Sequence, residues 1–405
     1  MSEYQVLAVI AAFAFLYSLV ASRLERTPIN GALIYVICGL ICGPTVLNIV
    51  SLNLEGEGLK TLAELTLAVV LFSDSANANL KVLHRVEQLP IRLLLIGLPL
   101  TIALGFGVGY ILFDGMSLIA IALLATMLAP TDAALGKAVV TNEAVPDSIR
   151  EPLNVESGLN DGICVPVLLI FLTLATEHVS GNGTLSMIIQ FPLKAIGVGA
   201  LVGIIFAVLG SQLLKFCFQH KWLAGTWMQV PIIALALMCF ATAQWLGGSG
   251  FIASFVGGLI FGGLTHEHKK EVLRSAEGTG DTLSLLTWFT FGAVAVGPQM
   301  EHLSWQVIVY ALLSLTVVRM LPVFLCVIST KLQTDTKLFI GWFGPRGLAS
   351  IVFIVIVVDK NLPENATLIA AVTWTVVLSI ILHGITANPL SKIYSQRVRD
   401  RNGVT

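Results

Sequence analysis

Leu128-Ala129-Pro130-Thr131-Asp132-Ala133 sets a proline, a hydroxyl and a carboxylate inside an apolar run that extends over 116–140. A run of that length crosses a bilayer as a helix, and a charge at mid-depth is costly unless it is paired, neutralised or turned to water. Proline removes a backbone donor, so the helix breaks or kinks there. A second interruption, Gly344-Pro345-Arg346-Gly347, falls at the corresponding place in the run over 337–358. Paired interruptions predict inverted repeats, with a binding site at the midplane where the two breaks cross.

The rest of the chain has the same character. Apolar residues make up 56% of it and charged residues 12%, and its mean hydropathy is +0.88. The runs are continuous rather than alternating, so they are helices and not barrel strands, and the fold class is an all-α polytopic membrane protein. About thirteen spans are expected, over 5–22, 30–49, 60–80, 89–112, 116–140, 152–177, 185–216, 226–246, 249–265, 282–299, 304–329, 337–358 and 366–388. Short polar loops such as Arg23 to Pro28 and His266 to Gly280 leave no room for a second domain. The expectation is one transporter-like unit over 1–405, with a repeat at 1–180, a linker helix at 185–216, a repeat at 226–390 and a short tail at 391–405. Met1 to Gln5 carries Glu3 and no cation, so the first apolar stretch reads as a span rather than a cleaved signal. With this helix count, Lys60, Lys194 and Lys360 fall on one side. The other loop cations, among them Arg23, Arg26, Lys81, Arg85, Arg150, Arg274 and Arg397, fall on the opposite side. That places the N-terminus outside and the C-terminus in the cytoplasm.

A formal net charge of -1, with no basic patch interleaved with aromatics, argues against nucleic acid. The six cysteines lie in predicted helices without a C-x-x-C pair and read as small apolar residues. His266 and His268 do not make a metal site, and His383 reads as a packing residue. Among 36 glycines, the pairs Gly39/Gly43, Gly199/Gly203 and Gly258/Gly262 have the spacing that lets helix backbones approach closely.

The chemistry concentrates in Glu156-Ser157-Gly158-Leu159-Asn160-Asp161. Ser157 and Asp161 stand one helical turn apart with Asn160 beside them, so hydroxyl, amide and carboxylate share one broad face. Carbonyls freed at Thr131 would add to an all-oxygen set suited to a hard monovalent cation, whereas zinc and copper want thiolate or imidazole. A half-buried Asp161 is penalised both for holding a proton and a cation together and for holding neither. Competition for that one carboxylate, with the site exposed to each side in turn, is enough for antiport. Arg319 and Arg346 need partners in the membrane, and Glu156 is the expected mate of Arg346. Asp132 either lies near the ion or caps the second half of the broken helix. Asp74, at the end of the third helix, either draws in or binds the cation or is an ordinary helix-end carboxylate.

These motifs resemble the NhaP-like branch of the cation/proton antiporters, to which the animal sodium/proton exchangers are related. Glu156-Ser157-Gly158-Leu159-Asn160-Asp161 is similar to its Glu-Ser-x-x-Asn-Asp signature, Thr131-Asp132 to its crossing segment, and Gly344-Pro345-Arg346-Gly347 to its Gly-x-Arg-Gly segment. Arg319 with Pro322, and His383-Gly384 with Pro389, fit as well. The resemblance implies that Asp161 exchanges proton and cation, that Ser157 and the Thr131 backbone are ligands, and that Asn160 orders the crossing. It also implies that Asp132 acts through water and that Glu156 pairs with Arg346. It implies electroneutral exchange by a homodimer built of a dimerisation bundle and a mobile six-helix core. One departure stands out: many relatives place a glutamate directly after the Leu-Phe of the third helix, where this chain has Ser73 and then Asp74.

The function expected is exchange of Na+ or Li+ for H+ across a bacterial inner membrane in the service of pH homeostasis, without a cofactor, with K+ as the alternative ion. An intramembrane serine hydrolase built on Gly247-Gly248-Ser249-Gly250 and His383 is a rival that leaves Asp161, Asp132 and Arg346 without a role. A cation channel could use the same carboxylates but would conduct without coupling.

Overall fold

The computed structural model describes residues 3–24, 27, 30–50, 57–78, 88–132, 135–140, 142, 145–180, 185–265, 269–360, 362–363 and 365–402. They form α1 (Glu3–Leu24), α2 (Gly31–Cys42), α3 (Glu57–Asn77), α4 (Leu89–Leu112), α5 (Leu118–Met127), α6 (Lys137–Val140), α7 (Asp147–Ser180) and α8 (Leu185–Gln219). The second half holds α9 (Pro231–Trp245), α10 (Gly250–Leu264), α11 (Lys269–Phe291), α12 (Trp305–Leu315), α13 (Val317–Cys326), α14 (Thr334–Trp342), α15 (Leu348–Val358) and α16 (Asn365–Asn402). No strand occurs among the described residues. Polar caps start several helices: Asn30 accepts from the Ala32 N–H at 2.9 Å, Ser117 from Ala120 at 3.2 Å and Ser304 from Val307 at 3.3 Å.

Both predicted breaks are present. α5 stops at Met127 and 128–132 are non-helical ahead of the single turn of α6, while α14 and α15 flank a non-helical 343–347. Proline explains two further irregularities. Leu93–Gly97 and Gly292–Val296 are π-turns set just before Pro99 and Pro298, where the wider turn absorbs a missing N–H.

The helices pack as two groups. α3 lies against α10 and α11, α8 against α10, and α2 against α11. The interrupted helices sit in the other group, with α5 against α4 and α7, and α15 and α12 against α16. α3 and α7 touch α15 and α10 across the boundary. α1 and α8 turn Phe15, Leu19, Leu201 and Leu213 outward, as suits surfaces wetted by lipid.

Four boundaries differ from expectation. α2 ends at Cys42 rather than 49 because Pro44 follows Gly43 and disfavours helix at the residue before it. α7 begins at Asp147 rather than 152, with Pro152 accommodated early in the helix, where few backbone bonds are lost. The loop expected to run to Gly280 is helical from Lys269 as part of α11. The expected tail is a continuation of α16 to Asn402, docked on α14 by a Tyr394–Phe339 stack at 4.2 Å and an Arg401–Asp335 ion pair. His266, His268, Arg26, Lys81 and Arg85 lie outside the described residues.

Candidate ion site at the crossing

The crossing is held by charges placed against helix ends. The Asp132 N–H donates to the Pro345 carbonyl at 2.8 Å, which ties one break to the other. The Asp132 carboxylate then accepts from the Leu348 N–H at 2.8 Å and the Leu135 N–H at 3.2 Å. It therefore caps α15 across the crossing, and its other oxygen meets the Leu135 N–H beyond its own break. Gly347 adjoins this carboxylate so closely that a Cβ there would run into it.

Arg346 does the opposite job. Its guanidinium donates to the Ala129 carbonyl at 2.6 Å and the Pro130 carbonyl at 3.1 Å, capping the carbonyl end of α5. Its backbone N–H donates to Ser379 Oγ at 2.7 Å. The expected Glu156–Arg346 pair is therefore corrected. Glu156 is taken by Arg319 in a two-pronged contact at 2.6 and 2.9 Å, with both side chains almost wholly buried. The broken helix exposes carbonyls that only a fixed donor can satisfy, and Arg346 is the cation nearest them.

Asn160 clasps the first break. Its Oδ1 accepts the Thr131 N–H at 3.2 Å and its Nδ2 donates to Thr131 Oγ1 at 2.6 Å. Thr131 Oγ1 lies 2.9 Å from Ser157 Oγ, so hydroxyls from the break and from α7 meet. Asp161, one turn beyond Ser157, is 8% exposed, and its Oδ1 is buried without a hydrogen-bond partner among the described residues. Asp161 lines a cavity of about 390 Å³.

Five acidic residues line that cavity, Asp74, Asp132, Asp161, Glu277 and Asp281, and among the described residues no lysine or arginine does. A space with that lining concentrates cations. Asp74 packs its carbonyl and Cβ against Gly158, which brings α3 to within a turn of Asp161. Ser73 lines the cavity too, but its hydroxyl donates back to the Val69 carbonyl at 2.9 Å. Glu277, Asp281 and Asn77 were missed by sequence reasoning. The signal was the four-residue spacing of Glu277 and Asp281, which puts them on one face once 269–281 is recognised as helix.

The hydrolase constellation does not assemble. Ser249 Oγ caps α10 by accepting from Ile252, and the two ring nitrogens of His383 face the Ser379 and Trp342 carbonyls, each at 2.9 Å.

The chain is similar to known proteins along most of its length. Residues 9–393 match the family model described as sodium/hydrogen exchanger, transmembrane. A Na(+)/H(+) antiporter of Schizosaccharomyces pombe is 26% identical over 317 residues, which cover 70% of this chain and 67% of that protein. The K(+)/H(+) antiporter NhaP of Alkalimonas amylolytica is 24% identical over 395 residues, covering 96% of this chain and 67% of that one. Among solved structures, the sodium proton antiporter MjNhaP1 from Methanocaldococcus jannaschii superposes with a TM-score of 0.75 at 22% identity, over 96% of this chain and 99% of that one.

Proposed function

Since the chain belongs to the sodium/hydrogen exchanger family, a family of membrane transporters and not enzymes, we propose that it exchanges Na+ or Li+ for H+, one for one, by competition at Asp161. The observation that carries this reading is the buried, unpartnered Oδ1 of Asp161 at the head of an acidic cavity. A bare carboxylate there is unstable, and either a proton or a metal ion removes the charge. Ser157 and Thr131 supply hydroxyl oxygens beside it, and the unwound backbone at Thr131 adds a carbonyl, an oxygen set that suits a hard cation. Asp74 stands across the cavity as a further carboxylate for the incoming ion. Asn160, Asp132 and Arg346 fix the break, while Glu156 and Arg319 brace α7 against α13.

Exchange follows when occupancy by one ion excludes the other and the site opens to each side in turn. We assign the protein to the bacterial inner membrane as a homodimer, with the N-terminus outside and the C-terminus in the cytoplasm, acting in pH homeostasis. The internal arrangement is a repeat over 1–180, a linker helix over 185–216 and a repeat over 226–390. K+ is the second reading for the ion, favoured by the relative that aligns with 96% of this chain and carries a K(+)/H(+) name.

The test is flux in proteoliposomes with a pH-sensitive dye, comparing Na+, Li+ and K+ at clamped voltage. Na+ and Li+ should drive proton movement that does not change with voltage. Asp161→Asn should abolish it, because an amide neither releases a proton nor carries charge. Sodium-driven proton movement that survives in Asp161→Asn defeats the mechanism, and sodium flux with no opposing proton identifies a channel instead.

A further inference from the structure

We propose that Lys60 and Asp359 are gating residues that seal the site from the face opposite the acidic cavity; the inference rests on the exchange reading above. Two helices carry it. α3 has Asp74 and Asn77 in the cavity wall at one end and Lys60 at the other, a separation of about 21 Å along the axis at 1.5 Å per residue. α15 begins at Leu348, also in the cavity wall, and ends one residue before Asp359, about 16 Å further along. α3 and α15 pack against each other, and they belong to the two different helix groups.

At the far ends Lys60 Nζ lies 2.9 Å from Asp359 Oδ2, and Lys360 Nζ lies 3.5 Å from the same oxygen. Glu64, one turn inward on α3, interacts with all three charges. Beneath this patch Ala63, Leu67 and Leu71 of α3 and Ile354, Val357 and Val358 of α15 are buried in one apolar cluster. To expose the site on that face, α3 and α15 must part at the ends that Lys60 and Asp359 join. The pair is suited to opening and closing repeatedly, since its side chains are 35% and 39% exposed and an exposed pair of this kind biases an equilibrium only about two- to five-fold.

The decisive experiment joins the two positions. In a cysteine-free background with Lys60→Cys and Asp359→Cys, reconstituted in proteoliposomes, a bifunctional methanethiosulfonate that spans the lost lysine chain should stop sodium/proton exchange. A monofunctional reagent should leave exchange in place, and reduction of the cross-link should restore it. Undiminished exchange with the two positions joined, confirmed by mass spectrometry, overturns the gate, as does equal loss with the monofunctional reagent. A second arm needs no transport. Lys60→Met or Asp359→Asn should speed labelling of Ala63→Cys by an impermeant maleimide, added from the Lys60 face, roughly two- to five-fold, and an unchanged rate overturns the gate. If the uncross-linked chain exchanges no cation, the exchange reading fails while the labelling arm still decides the gate.

Discussion

Removing Arg319 should unmake the protein far more than its distance from the cavity suggests. Its guanidinium holds both oxygens of Glu156, and the two side chains are 1% and 2% exposed. Arg319→Gln leaves Glu156 charged, buried and without its partner, which costs about 3–5 kcal/mol when one member of a buried pair is deleted. In a chain of this size that corresponds to a fall of roughly 4–6 °C in the heat-denaturation midpoint. Glu156→Gln should fall less, because the amide still accepts one bond. The double variant Glu156→Gln/Arg319→Gln should be more stable than the sum of the single losses, with a coupling above about 1 kcal/mol. The same cycle run on Glu156 and Arg346 should give a smaller coupling, since Arg346 is bonded to the Ala129 and Pro130 carbonyls instead. Melting followed by size-exclusion retention in detergent measures all of these variants. A Glu156/Arg346 coupling equal to or larger than that of Glu156/Arg319 refutes the assignment.

Three further outcomes are expected. Asp132→Ala strands the Leu348 and Leu135 N–H groups and should cost about 1–3 kcal/mol for each buried donor left unmet. Asp132→Asn should be milder, and Gly347→Ala, whose Cβ would displace the carboxylate, should resemble Asp132→Ala in melting and lose exchange; an Asp132→Ala protein as heat-stable as the parent rejects the capping role. Asp74→Asn should raise the Na+ concentration needed for half-maximal exchange without abolishing it, and an unchanged value reduces Asp74 to a wall. The hydrogen bond from Lys60 holds the Asp359 carboxyl below the ordinary carboxylate range, against the smaller opposing effect of burial. The lowered native value means the stabilisation is fully present above about pH 4 and is lost as pH falls through the native value. Lys60→Met should melt slightly below the parent at neutral pH, by at most about 1 kcal/mol for an exposed pair, and the gap should narrow as the pH is taken below about 4. A gap that widens on acidification contradicts this.

What the sequence disclosed and what it hid follow the range of the physics involved. Pro130 and Pro345 act on their own backbone, so both breaks were readable from local chemistry, and the Ser157/Asn160/Asp161 face followed from helical periodicity. The partner of Glu156 was not readable. Two arginines lay within the apolar chain, and the choice between them depends on which one the exposed carbonyls of Ala129 and Pro130 capture, a fact of three-dimensional placement. Asp132 presented the same ambiguity in reverse. Its capping of α15 joins residues 216 apart in the chain, beyond the reach of any local rule. Glu277 and Asp281 were hidden for a different reason: a polar stretch beside glycines looks like a loop until a neighbouring helix gives its charged face a cavity to line. The docked end of α16 was likewise masked by Pro389, which costs one backbone bond but does not stop a helix anchored by Tyr394 and Arg401.

The glycine pairs also bear on how the molecule can move. A methyl group at Gly39 would collide with the Phe289 carbonyl, at Gly203 with the Ala253 carbonyl, and at Gly262 with the Ala76 carbonyl. These seams weld α2 to α11, α8 to α10 and α3 to α10, bare backbone on bare backbone. Surfaces interlocked at that separation have no slack for sliding, because any shift drives a carbonyl into the neighbouring chain. Motion in the transport cycle is thereby channelled to the joints where ordinary side chains intervene, such as the one between α3 and α15, and the welded helices become the anvil against which the crossing is worked.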